Sequence, residues 1–185
     1  LKLYFMNGLP TETDADVEGI AVLAQRIVDA FYETKRNGKG FNVTVSVSCF
    51  VPKPFTPFQW ESQDSIAELE RKQQLLRDAI RTRKITYHYH DAPVSYIEAV
   101  FARGDRRLSR AILEAVERGQ RLDGWDEFFR FDTWMEAFAA AGTDPDFYAA
   151  RRRAYDELLP WDHIDCGVSR AFLVRESEKA RAAET

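Results

Sequence analysis

The chain has 185 residues, with 26 lysines and arginines against 30 aspartates and glutamates, and a formal net charge of -4. This length suits one domain or one and a half, and the near balance of charges argues against a dedicated nucleic-acid-binding protein. No apolar run approaches the roughly 18 residues that a membrane span needs. Two cysteines, Cys49 and Cys166, exclude a disulfide scaffold. We therefore expect a globular, cytoplasmic protein without a membrane partner.

Strands and helices alternate in the first half of the chain. Apolar or alternating segments predict strands at 1–6, 43–50 and 85–90. Helical periodicity predicts one helix from about Thr13 that ends at Asn37–Gly40, and a second from Asp64 to Arg83. Capping signals support both starts, because Thr13 and Asp16 have capping-box spacing, as does Asp64 or Ser65 with Glu68.

Crossovers of this length predict parallel, right-handed βαβ units. Residues 1–91 are therefore predicted to form an α/β domain with about three parallel strands, either half a barrel or half an open sheet. Residues 92–185 are predicted to be an all-helical extension. Its predicted helices span 94–102, 107–118, 133–141, 147–155 and 169–183. Its aromatic residues are expected to form a core, together with a small buried thiol. These residues are Trp125, Phe128, Phe131, Trp134, Trp161 and Cys166.

The ends of the first two strands are candidate ligand sites. Residues 8–13 close a strand and open a helix, and three prolines follow the second strand in 51–58. Ligands of parallel α/β sheets bind at the carboxyl ends of strands, where glycine admits a close backbone approach. The alternative for the first segment is a simple tight turn with a helix cap, which the spacing by itself favours. Along the second strand, valines alternate with Thr44, Ser46 and Ser48, which predicts one aliphatic and one hydroxylic face.

A second candidate site is the pair His88 and His90, which a strand would place on one face. With Asp91 following, and His163 or Asp165 as a third ligand, the pair could hold a metal ion. Two histidines hydrogen-bonded on a strand explain the pattern without metal. The metal alternative corresponds to a hydrolase that activates water.

Two segments resemble the fifth and sixth strands of a radical S-adenosylmethionine (radical SAM) barrel: LYFMNGLPTET at 3–13 and VSCFVPKP at 47–54. Four later blocks narrow the resemblance to an Fe-S oxidoreductase family that pairs a cobalamin-binding-like domain with a radical SAM domain. These blocks are FTPFQW at 55–60, EAVFARGDRR at 98–107, DGWD at 123–126 and LPWDHID at 159–165.

The resemblance implies a TIM-like barrel whose strand-five motif, Gly-x-Ile-x-Gly-x-x-Glu, contacts the adenine end of S-adenosylmethionine. Gly8 matches the second glycine, Met6 the isoleucine and Glu12 the acid, one residue late, while Tyr4 replaces the first glycine. The implied cofactor-binding residues are Met6, Gly8, Pro10, Glu12, Ser46 and Ser48.

In that superfamily a three-cysteine loop holds a 4Fe-4S cluster, and this sequence lacks such a loop. The resemblance therefore implies a carboxyl-terminal part of a larger enzyme, whose partner is the missing amino-terminal part of the same polypeptide. We expect neither cluster nor cofactor in the isolated chain, and the substrate stays open. The unpaired edge at 1–6 predicts dimerisation or aggregation. A third possibility is a non-catalytic interaction module with a partner surface from Trp125 to Trp134.

Overall fold

The computed structural model describes residues 1–34 and 40–184. The predicted helix end at Asn37–Gly40 thus lies, except for Gly40, outside the described residues. The chain divides into two compact units, one formed by residues 1–50 and 64–92 and the other by 51–63 and 93–185. The proline-rich segment 51–63, which the sequence assigned to the first domain, belongs by its contacts to the second unit.

The first unit is a three-stranded parallel sheet with two helices. The strands are β1 (Lys2–Asn7), β2 (Val43–Cys49) and β3 (Ile85–Tyr89), and their order in the sheet is β1-β2-β3. The helices α1 (Asp14–Thr34) and α2 (Ile66–Ala79) connect them. Each strand lies within about one residue of its prediction, and the mixed α/β class with three parallel strands is confirmed.

Both helices begin at the predicted caps. The Thr13 N–H donates to Asp16 Oδ2 at 2.8 Å and the Asp16 N–H donates to Thr13 Oγ1 at 3.3 Å, which is a capping box. Ser65, rather than Asp64, caps α2. Helix α2 ends at Ala79, earlier than predicted, because Ile80 adopts an extended conformation and packs against the core.

The core of the first unit lies between the aliphatic sheet face and the two helices. The valines of β2 are buried together with the inner faces of α1 and α2. The buried members are Val17, Ile20, Ala21, Ala24, Val28, Val43, Val45, Val47, Leu76 and Ile85. One sheet face thus carries both helices, and the polar residues of β2 lie on the opposite face.

The second unit contains α3, α4, α5, α6 and α7, at Ala92–Ala102, Leu108–Glu117, Phe131–Ala141, Asp146–Ala149 and Arg170–Arg181 respectively, with the first residue of α3 in the other unit. The prediction of a helix over 147–155 was wrong beyond Ala149. Beyond Ala149 the backbone makes a tertiary hydrogen bond instead of a helical one, because the Arg153 N–H donates to the Trp60 carbonyl at 2.7 Å. Among the described residues, no helix combines the length and apolar character required to cross a membrane.

Three predicted core positions of the second unit are exposed. Trp125 is 64% exposed and Phe128 is also exposed, whereas Trp134 and Trp161 are buried as predicted. Cys166 is exposed too. Hydrophobic periodicity could not identify Trp125 and Phe128 as exposed, because 122–130 contains turns rather than a regular helix with one inward face.

Candidate functional site

The exposed face of the sheet brings three predicted cofactor residues together. Met6 pairs with Ser48 in the strand register, and Tyr4 pairs with Ser46, which in turn pairs with His88. Tyr4 is 74% exposed, Met6 and His88 are exposed, and both serines are half-buried. Ser48 Oγ donates weakly to the Phe5 carbonyl at 3.4 Å. This face therefore offers a phenol ring, a thioether and two hydroxyls to a ligand.

The loop after β1 has two residues in the left-handed conformation, Gly8 at φ 79° and Thr11 at φ 70°. A Cβ atom on Gly8 would lie 2.9 Å from Leu69 Cδ2 and 3.3 Å from Asp64 Oδ2. Glycine is therefore required here by the backbone angle and by the close approach of α2. The left-handed Thr11 is unusual for a β-branched residue and marks a strained loop.

Glu12 turns into the protein and anchors this loop. Its Oε2 accepts the Gly8 N–H at 2.7 Å and lies 3.0 Å from Lys72 Nζ. Lys72 Nζ also donates to Asp64 Oδ2 at 2.8 Å. The side chains of Glu12 and Lys72 are only 6% and 7% exposed. A buried lysine thus joins the loop after β1 to α2.

Burial by itself disfavours the ammonium of Lys72, but its hydrogen bonds to Asp64 and Glu12 outweigh this effect and raise its pKa. Lys72 therefore stays charged. Glu12 and Asp64 together carry one more negative charge than Lys72 compensates. Sequence reasoning missed Lys72, although a lysine between Leu69 and Leu76 on the inward face of α2 was a signal of a buried partner.

A groove of about 430 Å³ lies beside β1 and α1. It contains Met6, Pro10 and Glu12, so three predicted cofactor residues share one concave surface. The rest of its lining is mainly apolar: Phe5, Leu9, Thr11, Asp16, Gly19, Ile20 and Leu23. The structure therefore groups Met6 with Ser46 and Ser48 on the sheet face, and with Pro10 and Glu12 in the groove.

The carboxyl ends of the other two strands meet through Gln73. Its Nε2 donates to the His90 carbonyl at 2.8 Å and lies 3.4 Å from Cys49 Sγ. Cys49 is buried. Asn7, at the end of β1, is buried as well, and its Oδ1 accepts no hydrogen bond from the described residues. This end of the sheet is thus polar on all three strands.

The two histidines of the metal alternative are both exposed, as is Asp91. His163 and Asp165 lie in the second unit, where they line a pocket of about 350 Å³. Within residues 1–34 and 40–184, no three side chains of the histidine, cysteine, aspartate or glutamate type form a metal-binding group. No observation therefore favours His88 and His90 as ligands.

No protein-family profile and no solved structure matches the chain. It is similar to an uncharacterized protein of Methanocaldococcus jannaschii, with 28% identity over 132 residues. The match covers 66% of this chain and 27% of the relative, so the chain spans about a quarter of the relative's length. Because the relative is uncharacterized, this similarity assigns no activity to the chain.

Proposed function

We propose that this chain is the carboxyl-terminal part of a radical S-adenosylmethionine iron-sulfur enzyme, in which it forms the wall of the cofactor site at the adenine end. The observation that carries the proposal is the winding of the sheet. Three parallel strands follow one another in sequence order, and both helices pack on one face. Barrels of βα units have this arrangement, which one half of a doubly wound sheet shares, and the polar face opposite the helices favours the barrel.

The polar character of the remaining face supports the same proposal. A closed barrel packed only with side chains has branched aliphatic residues inside. Here the face opposite the helices carries Thr44, Ser46 and Ser48 on the central strand, with Tyr4 and Met6 beside them. Such a face suits a lumen that binds a polar cofactor. The much longer archaeal relative is consistent with further strands in a larger polypeptide.

The residues present fit the nucleoside end of the cofactor. The Tyr4 ring is free to stack on adenine, Met6 adds an apolar contact, and Ser46 and Ser48 can hydrogen-bond ribose or base atoms. Glu12 acts as a positioning residue, because its contacts to Gly8 and Lys72 hold the loop at the end of β1. The chemistry that the cofactor supplies when bound is hydrogen abstraction from the substrate.

The chain does not fit the 4Fe-4S cluster. Three thiolates on one loop are needed beside the open iron, but Cys49 is buried against Gln73 and Cys166 lies in the other unit. In the proposal the cluster is bound by residues upstream of this chain. Anaerobic reconstitution with iron and sulfide should therefore give visible cluster absorbance in the longer polypeptide and none in this chain. A stable cluster in this chain would contradict the proposal.

Nuclear magnetic resonance of methionine methyl groups tests whether S-adenosylmethionine binds against the exposed sheet face. The chain has two methionines, Met6 on the exposed sheet face and Met135 in α5 of the second unit. In the longer polypeptide, S-adenosylmethionine should shift the Met6 signal and leave Met135 unchanged. Ser48→Ala should weaken binding by about tenfold, as expected for one lost hydrogen bond. Ser109→Ala, an exposed serine of α4, is the control. An unchanged Met6 signal at saturation would refute the placement.

A second candidate function, partner binding, rests on the exposure of Trp125 and Phe128. Large exposed aromatics of this kind are common anchors of protein interfaces. Capture of a partner from cell extract that is lost in Trp125→Ala, and retained in the control Phe172→Ala, an exposed aromatic residue of α7, would favour this function. Equal capture by both variants would exclude Trp125 as its anchor.

A further inference from the structure

The pocket of about 350 Å³ in the second unit has no part in the proposed function. Its lining comes from the proline-rich segment, from residues 161–168 and from the start of α7, all within the second unit. Three buried side chains, Gln59, Trp161 and Leu173, line it together with exposed residues of 162–168. Small-molecule sites have volumes of about 300–1,000 Å³. The pocket therefore has room for a small ligand, and its exposed rim gives the ligand access from solvent.

Gln59 contributes an unpaired hydrogen-bond donor to the wall of this pocket. Its Oε1 accepts from the Phe55 N–H at 3.1 Å and from Trp161 Nε1 at 2.7 Å, and both partners also line the pocket. Two donors at Oε1 identify the other end of the amide as Nε2. Gln59 is only 3% exposed, yet its Nε2 donates to no described residue and is not among the atoms that the protein encloses completely. An acceptor atom of a ligand can therefore complete the hydrogen bonds of this amide.

Phe55, which lines the same pocket, has a strained backbone. Its φ of 61° lies in the left-handed region, where a bulky side chain is unusual. The hydrogen bond from its N–H to Gln59 Oε1 holds this conformation and joins the strained residue to the unpaired amide. Strain of this kind is concentrated at ligand sites, where the surrounding structure enforces it. The backbone of Phe55 is thus a second observation that points to a ligand in this pocket.

The charged groups of the pocket favour a ligand that donates hydrogen bonds over an anion. Arg170 makes four hydrogen bonds within the protein, one to Asp162 Oδ2 and three to two backbone carbonyls. Asp165 is exposed, and its Oδ1 accepts a backbone N–H at 2.8 Å. Among the described residues, Oδ2 of Asp165 accepts no hydrogen bond and pairs with no cation. The pocket therefore combines one open donor with an open carboxylate acceptor.

We infer that this pocket binds a nucleobase, free or as part of a nucleoside. A nucleobase is planar and neutral, and its edge places acceptor atoms next to N–H donors. Gln59 Nε2 can donate to such an acceptor and Asp165 can accept from such an N–H, while Trp161 and Phe55 supply aromatic surface beside the ring. A phosphate group fits poorly, because Arg170 is engaged and Asp165 repels anions. This inference is independent of the proposed radical enzyme.

The test is calorimetric titration of the chain with guanosine and with uridine. Both bases carry a carbonyl acceptor beside a ring N–H, and we expect saturable binding of one nucleoside per chain. The methylated forms N1-methylguanosine and N3-methyluridine lack that N–H and should bind about tenfold more weakly, as expected for one lost hydrogen bond. The 5'-monophosphates show whether the base arrives on a nucleoside or a nucleotide, and saturable binding of either supports the pocket. No saturable heat with any of them, or equal binding of the methylated forms, would overturn the inference.

Two variants test whether the nucleoside binds in this pocket. Gln59→Glu keeps the acceptor for Phe55 and Trp161 but replaces the amide donor with an oxygen, and should weaken binding by about 100-fold. Asp165→Asn keeps the acceptor for the backbone N–H and should weaken binding by about tenfold. Asp156→Asn is the control, because Asp156 is an exposed aspartate of the same unit that does not line the pocket.

Asp165→Asn protects the test against misfolding of Gln59→Glu, because Asp165 is exposed and its replacement leaves the buried amide in place. Undiminished binding by Asp165→Asn and by a folded Gln59→Glu would overturn the inference. Crystals soaked in 5-bromouridine should show an anomalous bromine peak in the pocket beside Gln59. A bromine peak elsewhere, with none in the pocket, would also overturn it.

Discussion

Each unit buries cationic side chains, but the two units compensate the buried positive charge with different partners. Lys72 of the first unit contacts two carboxylates, Glu12 and Asp64, at 3.0 and 2.8 Å. Among the described residues, the hydrogen bonds of Arg103 and Arg153 in the second unit go to carbonyl oxygens, and several of their donors stay unpaired. The first centre pairs its cation with carboxylates and holds a loop. The second compensates its buried cations with carbonyl dipoles and with the Trp161 ring beside Arg153.

The largest effect is expected from Lys72→Met. This change leaves Glu12 buried without its cation, and breaking a buried pair costs about 3–5 kcal/mol. Urea unfolding of the variant measures the loss in the free energy of unfolding. The exposed Lys84, whose ammonium lies over the Tyr32 ring, gives the control Lys84→Met with a loss below about 1 kcal/mol. Similar losses in both variants would show that the Lys72 centre is not stabilising.

A second test is the pH dependence of the difference in the free energy of unfolding between wild type and Lys72→Met. The pKa of Lys72 is raised above 10.5, so its stabilisation is fully present below the unfolded value. It is lost only as the pH rises through the raised value of the folded state. We therefore expect the stability difference between wild type and Lys72→Met to be constant from about pH 7 to 10 and to shrink above that range. A difference that vanishes below pH 9 would contradict the raised pKa.

Arg153→Met should be less destabilising than Lys72→Met. The change removes one hydrogen bond to the Arg103 carbonyl but leaves no carboxylate unpaired, so a loss of about 1–2 kcal/mol in the free energy of unfolding is expected. Urea unfolding measures this loss. A loss as large as that of Lys72→Met would show that carbonyl oxygens stabilise a buried cation as strongly as carboxylates do.

The smallest effect is expected from the partly exposed pair of Asp105 and Arg107. It serves as a reference for the effects of Lys72→Met and Arg153→Met. The guanidinium and N–H of Arg107 and the Tyr148 hydroxyl hold the pKa of Asp105 at about 2. Because this value is depressed, the stabilisation is present above the unfolded pKa, near 4, and is lost as the pH falls toward 2. Asp105→Asn should cost about 1 kcal/mol at pH 7 and nothing near pH 2. A cost that persists at pH 2 would point to a packing defect instead.

The secondary structure was readable because its signals are local. Alternating valines predicted β2, and the cap of Thr13 with Asp16 predicted the start of α1. The same alternation predicted the aliphatic and hydroxylic faces, since strand periodicity requires no knowledge of the neighbours. The prediction of a helix over 147–155 was wrong because the Arg153 N–H bonds to the Trp60 carbonyl, a contact that local sequence periodicity does not encode.

The sequence by itself determined the order of strands and helices, the faces of β2 and the chemical groups available at the strand ends. Only the tertiary structure decided which partner each polar group takes. Glu12 could have faced a ligand, but its ion pair with Lys72, sixty residues later in the chain, holds it inside the protein. Arg103 could have been a solvated charge, but helix packing buries it. Partner choice depends on distances between segments remote in sequence, and the strength of each charge interaction depends on the burial that folding creates.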